Sequence, residues 1–323
     1  MYGAQNSYFD SYSSHQDRYF GLDYTGAESS INTNSMAKKT NNFVMWGTNA
    51  LSTMNLYAFA YIRAVEDIKN RYNKSQTVFI GPKFVDTGIT LADTWIKSKP
   101  YTDPAIIASI VYYLLDNTFD LNTGELKPNP ILDVDYLDTM FYGFFDSPEY
   151  WVKEADGTIV TTKPGDGELS QYRHIPEVPA GKSYCSWILG NNTKAKAYSN
   201  ADKNYTAKQF ASKNMRRWTP CSFSVKGKLA TDSVKTSKYK TKQDYLTHKN
   251  AEWSYPITGV SAESIEKLAK INADGPVLSS WSYGMQKQHD GVINLYAMQA
   301  LHVITKNVGK EGAAIIWWSM GPI

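Results

Sequence analysis

The chain has 323 residues, 42% hydrophobic and 20% charged, with 9 Trp and 23 Tyr. This composition excludes disorder, a collagen-like repeat and a coiled coil, and the length allows about two or three domains around a sizeable core. The net charge of +3 is uneven: Lys194 to Lys249 carries fourteen Lys/Arg against three acids, a local +11, which leaves the rest at −8.

No run approaches roughly eighteen apolar residues, so no direct membrane insertion is expected. The opening Met1-Tyr2-Gly3-Ala4-Gln5-Asn6 lacks the basic and apolar regions of a signal peptide. Cys185 and Cys221 form neither a disulfide framework nor a C-x-x-C pair, so no iron–sulfur or structural zinc site is expected within these residues. The basic block reads as a solvated, loop-rich insertion, since no recognised nucleic-acid motif accompanies it and no nucleic acid is expected as a partner. Docking to an acidic partner is the alternative.

In chain order, Phe43-Val44-Met45-Trp46 is an apolar run entering Gly47-Thr48-Asn49, the pattern of a buried strand and its turn. Leu51, Met54, Leu56, Ala58, Ile62, Val65 and Ile68 then recur at helical spacing through Arg71. Thr77-Val78-Phe79-Ile80 reads as a second buried strand stopping at Gly81-Pro82. Strand, helix and strand in about forty residues make a βαβ unit, which places the strands parallel. A helix is expected from Thr102-Asp103-Pro104 to about Leu115, with Thr102 as its N-cap. Residues 120 to 255 are rich in Pro, Gly, Asn, Lys and Tyr and read as long irregular insertions. Regularity returns with a helix capped by Ser261, a strand at Pro276 to Trp281 and an apolar helix from Gly291 to Thr305.

The common nucleotide and catalytic fingerprints are missing. There is no G-x-G-x-x-G, and Gly181-Lys182-Ser183 has Pro176 where a P-loop needs its first glycine. The five histidines show no metal-ligand spacing, and His302, on an apolar helix, reads as a core residue. No G-x-S-x-G elbow occurs.

Several spaced segments nevertheless form one ordered series. They are Asn6-Ser7-Tyr8-Phe9-Asp10-Ser11-Tyr12-Ser13-Ser14, Trp46-Gly47-Thr48-Asn49, Asp86-Thr87, Ala92-Asp93-Thr94-Trp95-Ile96 and Pro100-Tyr101-Thr102-Asp103. Ser280-Trp281-Ser282-Tyr283-Gly284-Met285-Gln286 with Gly291, and Asn307-Val308-Gly309-Lys310-Glu311-Gly312, complete it. In order and spacing the series resembles the molybdopterin oxidoreductases of the DMSO reductase family, especially catalytic subunits acting on S-oxides and N-oxides. Three positions depart from the family pattern: Gly81-Pro82-Lys83 replaces D-P-R, Lys287 the Arg of Q-R, and Ala313 the second glycine of a G-G pair. A Lys at a site built for a planar guanidinium is not an equivalent contact.

The resemblance implies an α/β fold: a Rossmann-like, mostly parallel sheet domain flanked by parts of a second α/β domain. The expected division is 1–37 as the end of an upstream cofactor-binding segment, 38–275 as the dinucleotide-binding domain with basic insertion 191–250, and 276–323 as a return into the flanking domain. It also implies a bis(molybdopterin guanine dinucleotide) molybdenum cofactor. Trp46, Gly47, Thr48, Asn49 and Ser52 would wrap its guanosine and phosphate edge, and Asp86 and Thr87 would hold ribose or phosphate oxygens. Tyr101 and Asp103 would meet the guanine, whose N1–H and amino group suit one carboxylate. Tyr283, Gly284, Met285 and Gln286 would approach the pterin. Each has a plainer alternative: a helix-terminal acid for Asp103, a helix cap for Ser52, and turns for the rest.

By the same resemblance, the molybdenum ligand and any iron–sulfur cysteines lie upstream, so no catalytic or metal-ligating residue is expected here. The chain reads as an internal piece, inactive alone, of an oxidoreductase that takes an oxygen atom from an S-oxide or N-oxide. Electron-transfer subunits would be its partners, and the periplasm its location. Two other readings stay open: a non-catalytic nucleotide- or protein-binding module, and a family member reducing another oxyanion such as nitrate, tetrathionate or arsenate.

Overall fold

The computed structural model describes residues 37–53, 58–146, 150–151, 174–175, 178, 183–190, 248–286 and 292–316. The Asn6 to Ser14 segment, residues 1–36, residues 191–247 of the basic insertion, Gly181-Lys182 and Cys221 lie outside them. The chain divides into two compact units, Met1–Ile110 with Ser254–Ile323, and Val111–Trp253.

The first unit is built on a five-stranded sheet of β1 (Asn42–Trp46), β2 (Thr77–Gly81), β3 (Thr94–Lys97), β6 (Val277–Trp281) and β7 (Ala314–Ile316), in the order β3-β2-β1-β6-β7. Every pairing is parallel. β1, β2 and β6 are buried at every position, without the alternation of a half-exposed strand, and even the Ser279-Ser280 pair of β6 is buried. That is the signature of a parallel sheet covered on both faces. The edge strand β3 alone shows partial exposure, at Thr94, Trp95 and Lys97.

Between the strands come α1 (Ala50–Thr53), α2 (Ala58–Arg71), α3 (Asp86–Leu91) and α4 (Asp103–Asp116). The second unit holds α5 (Val134–Met140), the antiparallel pair β4 (Tyr150–Trp151) and β5 (His174–Ile175), and α6 (Tyr184–Ile188). The chain then runs through α7 (Ala251–Thr258), α8 (Ala262–Ala273), α9 (Tyr283–Gln286) and α10 (Val292–Ile304).

The α/β class is as the sequence implies, and the sheet does not end at residue 275. β6 pairs with β1 over its whole length, Asn42 opposite Val277 through Trp46 opposite Trp281, and β7 extends the sheet beyond it. Two asparagines secure the amino ends of these strands. Asn42 accepts from the Gln76 N–H and donates to the Ile271 and Asp274 carbonyls. Asn307 accepts from the Val277 N–H at 3.1 Å and donates to the Asn272 carbonyl and the Thr305 hydroxyl.

α2 buries Ala60, Tyr61, Ala64, Val65 and Ile68, one face at helical spacing, against Phe43, Met45 and Phe79. Ser261 caps α8 as expected, its hydroxyl accepting from the Ser264 N–H. Thr102 differs: its hydroxyl donates back to the Lys99 carbonyl at 2.8 Å and does not cap α4. His302 is a core residue, 1% exposed, with Nε2 2.7 Å from the Ser279 hydroxyl.

In the second unit, Phe141, Phe144, Phe145 and Tyr184 pack ring against ring. Asp146 accepts from the Ser183 N–H and the Ser186 hydroxyl. The Lys249 N–H donates to the Ile188 carbonyl at 2.9 Å, and its ammonium lies 5.3 and 5.5 Å from the Trp187 and Trp253 rings.

Candidate functional site at the carboxyl edge of the sheet

The chain order within the sheet creates one natural site. From β1 the chain moves outward through β2 to β3, whereas β6 and β7 lie on the other side of β1. The direction reverses between β1 and β6, and loops leaving the carboxyl ends of such a pair diverge and open a crevice. The segments after β1, β2, β3 and β6 hold Gly47 to Ser52, Asp86 and Thr87, Tyr101 and Asp103, and Tyr283 to Gln286. All thirteen expected site residues therefore sit at this edge or in its first helical turns.

At the switch point Trp46 and Trp281 are cross-strand neighbours. Gly47 follows with φ +57°, a conformation open to glycine, and its N–H donates to the Ile80 carbonyl at 2.8 Å. A side chain at Gly284 would place its Cβ 3.0 Å from the Gly47 carbonyl oxygen. The loops after β1 and β6 thus approach backbone to backbone, with no room for a side chain at Gly284.

The Tyr61 hydroxyl lies 2.5 Å from the Ser280 hydroxyl. Burial pushes the Tyr61 phenol up to about 12, with the neighbouring hydroxyls of Ser280 and Thr48 pulling the other way. The sequence pattern missed Tyr61 and Ser280, although a Ser-Ser pair inside an apolar strand was a visible signal.

The individual side chains divide by exposure. Trp46, Thr48, Thr87 and Met285 are buried, Gly47, Asn49 and Asp103 are half-buried, and Ser52, Asp86, Tyr101 and Gly284 are exposed. The Trp46 indole N–H has no acceptor among the described residues. Ser52 lies inside α1 instead of capping it, and its hydroxyl donates to the Asp86 carboxylate. Tyr283 and Gln286 lie in α9.

Tyr101 has φ +65°, a left-handed backbone uncommon for a bulky residue, two positions before Asp103. Asp103 opens α4, where its own N–H favours the carboxylate, yet burial outweighs that and raises its carboxyl from 3.8 to about 6. A half-buried acid, exposed glycine backbone and a parallel switch point together define a site for a ligand with a nucleotide-like polar edge. Among the described residues no group of His, Cys, Asp or Glu is placed to hold a metal ion.

The chain belongs to the molybdopterin oxidoreductases, whose family model matches residues 2–317. It is 25% identical over 296 residues to dimethyl sulfoxide reductase DmsA of Haemophilus influenzae, covering 90% of this chain and 25% of that protein. It is 23% identical to DmsA of Escherichia coli K12 and 22% identical to its putative dimethyl sulfoxide reductase chain YnfE, each over 313 residues and 27% of the relative. The chain thus spans about a quarter of the length of these relatives. Membership implies a molybdenum–pterin cofactor, and the buried Trp46 indole N–H, unpartnered among the described residues, and the exposed Gly284 at this edge fit one.

Proposed function

We propose that this chain is the nucleotide-cradling portion of a molybdenum oxidoreductase that reduces an S-oxide or N-oxide by oxygen-atom transfer. The cofactor form is the bis(molybdopterin guanine dinucleotide) one. The observation that supports the reading is that Gly47, Gly284 and Asp103 all follow strands of one parallel sheet at its carboxyl edge, on either side of its switch point. Names of the similar proteins support the sulfoxide class of substrate.

When bound, the cofactor supplies the redox centre at which the substrate oxygen leaves; this chain's residues bind and orient it. Asp103 accepts the guanine N1–H and amino N–H side by side, a geometry a carboxylate satisfies with two bonds. Those donors replace lost water and draw the carboxyl back to its ionised form. Gly47, through its left-handed backbone, and Gly284, through its close contact with Gly47, bring main-chain groups together at the edge where the phosphates and the pterin would lie. Electron-transfer subunits as partners and a periplasmic location accompany this reading.

Thermal unfolding of cofactor-free protein with GDP and with ADP tests it. GDP at about 100 times its dissociation constant stabilises by roughly 2.7 kcal/mol, and ADP, whose base offers no adjacent pair of donors, stabilises less. No shift with GDP at millimolar concentration contradicts the guanosine site.

A further inference from the structure

Five residues at this edge are joined by side-chain hydrogen bonds in two groups, Asn49 with Thr87 and Leu51, and Ser52 with Asp86. Asn49 Oδ1 accepts two hydrogen bonds, from the Thr87 hydroxyl at 3.0 Å and from the Thr87 N–H at 3.3 Å. The same hydroxyl accepts from the Leu51 N–H at 3.0 Å. Ser52 Oγ donates to the Asp86 carboxylate alongside. A hydroxyl has one proton, and that of Thr87, fully buried, is committed to Asn49.

The base of this arrangement is rigid. Thr87 and Gly88 lie in the first turn of α3, and a Cβ on Gly88 would meet the Phe79 and Phe84 rings at 3.0 Å. Phe79 is a buried residue of β2. The position of β2 is therefore passed through Phe79, Gly88 and Thr87 to the loop that follows β1.

The amide of Asn49 is fixed by these contacts. With two donors on Oδ1, the opposite orientation would set its NH2 group against the Thr87 N–H, so Nδ2 is held on the far side. Nδ2 has no acceptor among the described residues, and Asn49 is half-buried beside Gly47. We propose that Thr87 is a positioning residue that locks the Asn49 amide so that Nδ2 donates to a phosphate oxygen of the bound nucleotide. The proposal rests on the nucleotide site argued above and assigns Thr87 no contact with the ligand.

The test compares Thr87→Val, Thr87→Ser, Asn49→Ala and the Asn49→Ala/Thr87→Val double variant, using GDP titration calorimetry on cofactor-free protein. Thr87→Val should weaken GDP binding about tenfold, the size of one lost charge-assisted hydrogen bond. Thr87→Ser should bind as wild type, and the double variant no more weakly than Asn49→Ala. A double variant weakened by the product of the single effects would place Thr87 on the ligand and overturn the proposal. So would wild-type affinity in Thr87→Val.

Amide hydrogen exchange at Leu51 in the ligand-free protein reads the lock by itself. It should accelerate in Thr87→Val and return in Thr87→Ser. Unchanged exchange overturns the lock, whereas accelerated exchange in a protein that never binds GDP keeps the lock and removes the nucleotide reading.

Discussion

Replacing Asp103 with Asn should make the ligand-free protein more stable and the guanosine site weaker. The carboxyl sits at about 6 in the folded chain against 3.8 unfolded, because burial disfavours its charge. Below about 4 the group is protonated in both states and contributes no difference. Between about 4 and 6 the unfolded chain ionises first, so stability falls as pH rises, and above 6 the full penalty is present. A displacement of about two units corresponds to a ceiling of ~3 kcal/mol at 1.36 kcal/mol per unit, and partial exposure reduces this to ~1–2 kcal/mol. Urea unfolding at pH 3.5 and pH 7.5 measures it. Asp103→Asn should match wild type at the lower pH and exceed it by ~1–2 kcal/mol at the higher one. Equal stability at pH 7.5 would show that the carboxyl is not held in an apolar setting, and unchanged GDP affinity would remove it from the binding site.

Tyr61→Phe strands the buried Ser280 hydroxyl and should cost about 1–3 kcal/mol in urea unfolding, much of it recovered in the Tyr61→Phe/Ser280→Ala pair. Wild type, but not Tyr61→Phe, should also lose stability as pH rises from 10 through about 12, since the folded protein keeps the phenol protonated longer than the unfolded chain does. His302 is depressed to about 4 by burial, partly offset by a hydrogen bond with the Asn307 backbone. Stability tied to its neutral ring should be complete above 6.5 and fall as pH drops through 4, with the dependence flattened in His302→Gln by acid titration of circular dichroism. Gly312 has φ +86°, and a Cβ there would lie 2.5 Å from the Lys39 carbonyl carbon. Gly312→Ala should therefore lower the free energy of unfolding in urea by more than the ~1 kcal/mol typical of an ordinary substitution.

The strands that carry the site were legible because parallel strands buried on both faces have no polar alternation to confuse them. Phe43 to Trp46 and Thr77 to Ile80 emerged as short buried runs, and Pro276 to Trp281 as a strand despite its Ser279-Ser280 pair. α3 was not legible: Asp86-Thr87-Gly88 reads as a turn, and what makes it helical is close packing of Gly88 on Phe79. β3 was hidden by its brevity and by exposed Trp95, and α7 by Pro256 and its place beside the basic block. Pairings such as Tyr61 with Ser280, 219 positions apart, leave no local trace in a sequence. The thirteen expected site residues were drawn from an ordered series of short segments and their surroundings, which fixes positions along the chain. It does not fix exposure, so the division between the buried Thr48 and Thr87 and the exposed Ser52 and Asp86 had to come from three dimensions.

The bond between the Ile188 carbonyl and the Lys249 N–H joins two points that flank residues 191–247. Within the second unit, the described residues on either side of that span therefore close directly on one another, and their pairing is carried by a main-chain bond and by the Lys249 ammonium over Trp187 and Trp253, not by the chain between them.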